Sequence, residues 1–170
     1  MGEGSEGAAE AASELRLSRM QRLKIRLLHG YFRLARPMTL GVRAAVLNDA
    51  GEVFLIRHGY TPGWHFPGGG VEAGEAMGEA LARELHEEGR IRLTGPAQLH
   101  GIYFNRKTSR RDHVALYVVR DFVIDAARQP DWEIAEAGFF PLDALPIGVT
   151  PGTRRRLAEI AAGSPPAPDW

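Results

Sequence analysis

Between residues 15 and 36 the apolar side chains recur with the period of a helix. Met20, Leu23, Leu27, Tyr31 and Leu34 follow at spacings of 3, 4, 4 and 3, while Arg19, Arg22, Arg26, His29, Arg33 and Arg36 occupy roughly the opposite face. Pro37 ends that segment. From residue 39 the period falls to two. The β-rich runs at about 41–47 and 52–57 flank Asn48-Asp49-Ala50-Gly51 and predict a hairpin. Residues 58–73 carry five glycines and two prolines and read as loop. Helical composition returns over 74–88. Strands are expected at 98–105, 113–124 and near 137–141, with a basic turn over 106–112. A last helix starts at Thr150-Pro151, an N-cap followed by proline at the first helical position, and runs to about 162.

The order α-ββ-α-ββ-β-α predicts an α/β fold, a mixed β-sheet with helices packed on it. Residues 1–14 contain Gly, Ala, Ser and Glu with little that could pack, and are expected to be a disordered N-terminal tail. Residues 15–36 form the amphipathic basic helix, 37–163 the main domain and 164–170 a frayed C-terminal tail. The first helix has two readings: docked on the domain with a solvated basic face, or lying on an anionic lipid surface or a partner.

Composition narrows the chemistry. The chain has 170 residues, 44% apolar and 25% charged, as a single globular domain does. It contains no cysteine, which excludes disulfides, thiol catalysis and Cys-based metal sites. No apolar run reaches the ~18–20 residues of a membrane span. With no export signal, a cytoplasmic location is expected. Nineteen of the 21 bases are Arg, which with the Ala-rich composition suggests a bacterial source.

The net charge of zero predicts no DNA coating by the chain as a whole. It also hides local blocks. Residues 1–14 carry −4, 15–36 carry +7, 72–88 carry −5 and 106–111 carry +4.

The −5 block contains the informative chemistry. At ~100° per residue, Glu84, Glu87 and Glu88 share one arc in the last turn of the 74–88 helix. Like charges at i,i+4 and anions at a helix C-terminus both destabilise. Three such carboxylates make a hard oxygen site for Mg²⁺ or Mn²⁺, which would relieve the repulsion. The plainer alternative is a solvated acidic face with Arg partners at i,i+4. The preceding Gly68-Gly69-Gly70 allows close backbone approach, so its N–H groups could meet phosphate or a carbonyl could meet a metal.

With the glycines included, the stretch resembles the Nudix box, G-x5-E-x7-R-E-U-x-E-E-x-G-U with U aliphatic. Gly69, Glu75, Arg83, Glu84, Leu85, Glu87, Glu88 and Ile91 match eight of its nine specified positions. The departure is Arg90, where the pattern has glycine; Gly89 sits one residue early and is expected to cap the helix there. The resemblance covers about residues 39–145. It implies an α/β/α sandwich that hydrolyses a diphosphate linkage in a nucleoside diphosphate derivative, a small-molecule nucleotide such as a nucleoside triphosphate.

It further implies that Glu84, Glu87 and Glu88 bind Mg²⁺, with the Gly68 carbonyl as a further ligand. Arg83 would hold the glutamates and Glu75 would support them. Glu84 is the first candidate for general base, and Glu133 or Glu136 is the later-loop alternative. Gly69, Gly70 and His65 are candidates for substrate phosphate, and Trp64, Phe66 and Tyr103 for stacking on a base or for the core. A nucleotide-binding regulator with weak or lost turnover is the alternative function. A homodimer is left open.

Overall fold

The computed structural model describes residues 19–35 and 38–170. The expected tail over 1–14 lies outside them. The chain divides into two compact units, residues 1–37 and 38–170. In the first, α1 spans Arg19–Ala35. The second contains β1 (Thr39–Val46), β2 (Glu52–His58), α2 (Met77–Gly89), β3 (Ile91–Leu93), β4 (Gln98–Phe104), β5 (Asp112–Val119), β6 (Phe122–Ile124), β7 (Ile134–Pro141) and α3 (Pro151–Ala162).

Period-two patterning sorts the strands onto two faces. Val42, Ala44 and Val46 of β1, with Phe54 and Ile56 of β2, pack with Ala80, Leu81 and Leu85 of α2. The intervening Ala45, Val53 and Leu55 pack with Leu157 of α3. Strands apolar on both faces are covered on both, which gives the α/β/α sandwich. α3 begins and ends as its signals dictate: Thr153 N–H donates to Thr150 Oγ1 (3.4 Å), and Gly163 caps the helix in the left-handed region.

The hairpin at 41–57 is only half realised. Its turn forms, with Gly51 N–H donating to the Asn48 carbonyl (3.0 Å) and Glu52 N–H to Asn48 Oδ1 (2.9 Å). Beyond an isolated Leu47–Val53 bridge the two strands part. β1 runs parallel to β5, which pairs antiparallel with β4, whereas β2 pairs antiparallel with β7. A local turn signal does not reveal that each strand has a partner more than 70 residues away. The run read as one strand over 113–124 also divides, into β5 and β6, and β6 pairs with β3.

The tail over 164–170 is docked, not frayed. Phe104 N–H donates to the Pro168 carbonyl (2.8 Å), and Trp170 N–H to the Phe104 carbonyl (3.1 Å). The Trp170 ring stands edge-on to Tyr103 and Phe66. Arg156, 1% exposed, donates to the Asp169 carbonyl (2.7 Å) and to Glu159 (2.5 Å), which also accepts from Tyr103 Oη (3.0 Å). Buried polar partners and aromatic contact therefore hold this segment.

The α2 terminus corrects a further expectation. The helix runs through Gly89 and is capped by Arg90, at φ 54° and ψ 30°, whose N–H reaches the His86 and Leu85 carbonyls. Gly89 serves a different need, because a Cβ there would press on Phe54 and Ile91. Arg90 thus pays the left-handed cost that glycine avoids, about 1 kcal/mol. We expect Arg90→Gly to raise stability by about 1 kcal/mol and Gly89→Ala to lower it, both read from urea unfolding midpoints.

Candidate active site

The loop after β2 lies against β1 and carries the glycines to the end of α2. Val42 N–H donates to the Gly69 carbonyl, Ala44 N–H to the Pro67 carbonyl and Val71 N–H to the Leu40 carbonyl, each at 2.9 Å. Gly68 has φ 137°, and a side chain there would collide with the Val42 carbonyl. At Gly69 a Cβ would take the space of the Glu84 carboxylate. Close approach is the reason for both glycines.

Arg83 ties this loop to the helix. Its Nε donates to Glu75 Oε1 (2.9 Å), and Nη2 donates to Glu75 Oε2 (3.1 Å) and the Gly70 carbonyl (3.1 Å). Nη1 donates to Glu84 Oε1 (2.8 Å) and lies 3.5 Å from Glu87 Oε2. Hydrogen bonds to Glu75 and Glu84 drive the Arg83 pKa upward. In return, Arg83 first and the Glu72 N–H second hold the Glu75 carboxyl below its ordinary range.

Glu88 is 5% exposed. Its Oε2 accepts from the Gly68 N–H at 2.6 Å, and its Oε1 lies 3.8 Å from His58 Nε2. Burial pushes its pKa up to about 7, opposed by the Gly68 N–H and Arg43 and reinforced by the charges of Glu84 and Glu133. Burial, then the Arg43 charge, lowers the His58 pKa, so this imidazole is neutral near pH 7 and does not balance Glu88. His65 is lowered by burial too, and its Nε2 lies 3.1 Å from the Pro62 carbonyl.

The structure therefore gathers Gly68, Gly69, Gly70, Glu75, Arg83, Glu84 and Glu88. Glu133 joins them from another loop: its carbonyl accepts from Gly59 N–H (2.9 Å), and its charge acts on Glu88. Glu136 does not join, being ion-paired with Arg57. Glu87 points outward with its side chain 59% exposed. The Gly68 carbonyl, expected as a metal ligand, accepts from Arg43. Trp64, Phe66 and Tyr103 are core residues, at most 8% exposed, so the stacking alternative for them fails.

Among the described residues, no three Asp, Glu or His side chains close on one point as a finished metal site. The donor set nonetheless suits a hard divalent cation. Glu84 and Glu88 face one another's charge in a partly dry site, and no donor among the described residues reaches Glu84 Oε2.

A cleft of about 500 Å³ adjoins the glycines. Arg43, His65, Lys107 and Arg155 line it, together with the N-terminal residues of α3 and Trp170. Arg43 and Arg155 were not anticipated. The one sequence signal for Arg43 was a charged residue inside the apolar run of β1.

This fold, with a glycine loop delivering its backbone to an Arg-bound glutamate cluster, defines an α/β/α sandwich with an acidic site at one helix end. The NUDIX domain model matches residues 37–160, and the chain belongs to the Nudix hydrolase family. It is 26% identical over 126 residues to a Bacillus subtilis protein provisionally named an 8-oxo-dGTP diphosphatase, covering 74% of this chain and 82% of that one. It is 29% identical to the mouse (Mus musculus) 8-oxo-dGDP phosphatase NUDT18 over 76% of this chain, but spans only 41% of that protein. Among solved structures, a MutT Nudix hydrolase from Burkholderia pseudomallei superposes with a TM-score of 0.62 at 28% identity, over 72% of this chain and 97% of that one.

The raised Glu88 pKa has a consequence for stability. Folded Glu88 retains its proton up to about pH 7, whereas an unfolded glutamate loses it near 4.5. Its burial therefore costs stability as pH rises from about 4.5 to 7, reaching about 1–3 kcal/mol above that window. We expect Glu88→Gln to raise the Tm of chelator-treated protein at pH 8 and to leave it nearly unchanged at pH 4.5, by differential scanning calorimetry.

Proposed function

We infer that this chain is a Mg²⁺-dependent pyrophosphohydrolase that cleaves a diphosphate linkage in a nucleoside di- or triphosphate, with oxidised purine nucleotides among its substrates. The observation that supports this most is the union of two features. An under-neutralised glutamate cluster on α2 touches the glycine loop at Gly69, and Gly69 and Gly70 line a cleft bearing Arg43, Lys107 and Arg155. One feature suits a divalent ion, and the other suits the phosphates of a nucleotide. The names of the relatives point the same way, since 8-oxo-dGTP and 8-oxo-dGDP both carry a purine and a 5′ phosphate chain.

Glu84, Glu87 and Glu88 would hold the ion, Glu87 by turning inward from the surface. When bound, the ion neutralises diphosphate charge and acidifies water. Arg83 holds Glu84 and Glu75 in place through its hydrogen bonds. Gly69, Gly70 and His65 line the cleft and would meet the phosphate oxygens. Glu84 is the assigned base that accepts the proton of the attacking water, and Glu133 is the second candidate. Arg90 gives no support to the weakly active regulator, because it completes the α2 cap in the conformation a glycine would take.

Purified protein with Mg²⁺ is expected to release a nucleoside monophosphate or phosphate from members of a nucleotide panel that includes 8-oxo-dGTP. Glu87→Gln is expected to lose about 100-fold or more in kcat with its fold intact by circular dichroism. Comparison of Glu84→Gln with Glu133→Gln identifies the base, which is the one whose loss removes the acidic limb of the kcat–pH profile. Unchanged turnover in Glu87→Gln contradicts the proposal.

A further inference from the structure

Hydrolysis leaves α1 unexplained. On this helix Met20, Leu23, Leu27, Leu28 and Tyr31 are all more than half exposed. At ~100° per residue they share an arc of roughly 140°. Arg19, Arg22 and Arg26 lie together on the far side of the helix. Residues 15–36 contain seven bases and no acid. A helix with an exposed, largely apolar arc and an arginine face suits an apolar medium on one side and anions on the other. We propose that α1 lies in the headgroup layer of an anionic membrane, its apolar arc in the acyl boundary and its arginines on lipid phosphates.

Three observations favour lipid over other occupants. RNA would satisfy the arginines but would gain nothing from five exposed apolar side chains. The apolar spacing persists for only about two heptads, short of the three to four that a coiled-coil seam needs. Lys24 falls inside the apolar arc, between Tyr31 and Leu28, and is itself exposed. In a dry protein groove it would be a buried, unpaired charge, whereas at a membrane surface its stem lies along the acyl chains and its ammonium reaches the headgroups. No helix among the described residues is long and apolar enough to cross a membrane, so the association is one of lying on the surface.

The test is co-sedimentation of the full chain with vesicles of phosphatidylcholine alone and of phosphatidylcholine with phosphatidylglycerol in equal parts, at two salt concentrations. The expected result is salt-sensitive binding to the anionic vesicles and little to the neutral ones. The triple variant Arg19→Gln, Arg22→Gln, Arg26→Gln should bind on the order of 100-fold more weakly. Leu23→Glu with Leu27→Glu should also bind at least ~10-fold more weakly. Nucleotide hydrolysis in solution should be unchanged in both variants, which separates this proposal from the assignment of the active site. Equal binding to both vesicle types, full binding by the Leu variant, or binding to single-stranded RNA with none to vesicles would overturn it.

Discussion

One guanidinium organises the acidic end of α2. Arg83 joins Glu75, Glu84, Glu87 and the Gly70 carbonyl, so a single side chain spans the glycine loop, the approach to α2 and about one turn of that helix. Four acceptors around one delocalised cation suit arginine and would exceed what a lysine could bind with the same geometry. Yet Arg83 does not reach Glu88, which is buried behind it and leans on the Gly68 N–H. One part of the cluster is neutralised internally, and the other is left under-neutralised. That division is what a cation-dependent site requires: a fixed frame, and oxygen donors whose charge is completed on binding.

The rest of the fold holds this frame in place. β1 is packed on both faces, so it cannot shift without opening both core layers. The glycine loop is hydrogen-bonded along it, and α2 is pressed against the same strand through Leu81 and Leu85. On the far side, the Tyr103–Glu159–Arg156 network binds the C-terminal segment to α3 and β4. Trp170 thereby becomes part of the cleft wall. The stability of a segment remote in sequence is thus linked to the shape of the cleft beside the glycine loop.

Much of this was legible in the residues, for identifiable reasons. The α2 glutamates, Arg83 and the glycines lie within 21 positions of one another, and their spacing alone brings them together on a helix and its entry loop. Thr150-Pro151 announced α3 because capping is a local interaction. What escaped was non-local. The partners of β1 and β2 are set by burial on both faces and not by the intervening turn. The docking of 164–170 depends on a groove that exists only once β4 and α3 are assembled. Arg43 and the buried state of Glu88 emerge only when β1 meets the loop. The choice between Glu133 and Glu136 likewise needed the β2–β7 register, which places Arg57 beside Glu136.

The under-neutralised α2 cluster calls for a divalent ion to complete its charge. Titration of the full chain with Mn²⁺ in the absence of nucleotide, followed by electron paramagnetic resonance, tests it most directly. Bound Mn²⁺ is expected in the wild-type chain, and its loss in the Glu84→Gln, Glu88→Gln double variant. Equal Mn²⁺ binding by the two proteins would contradict it.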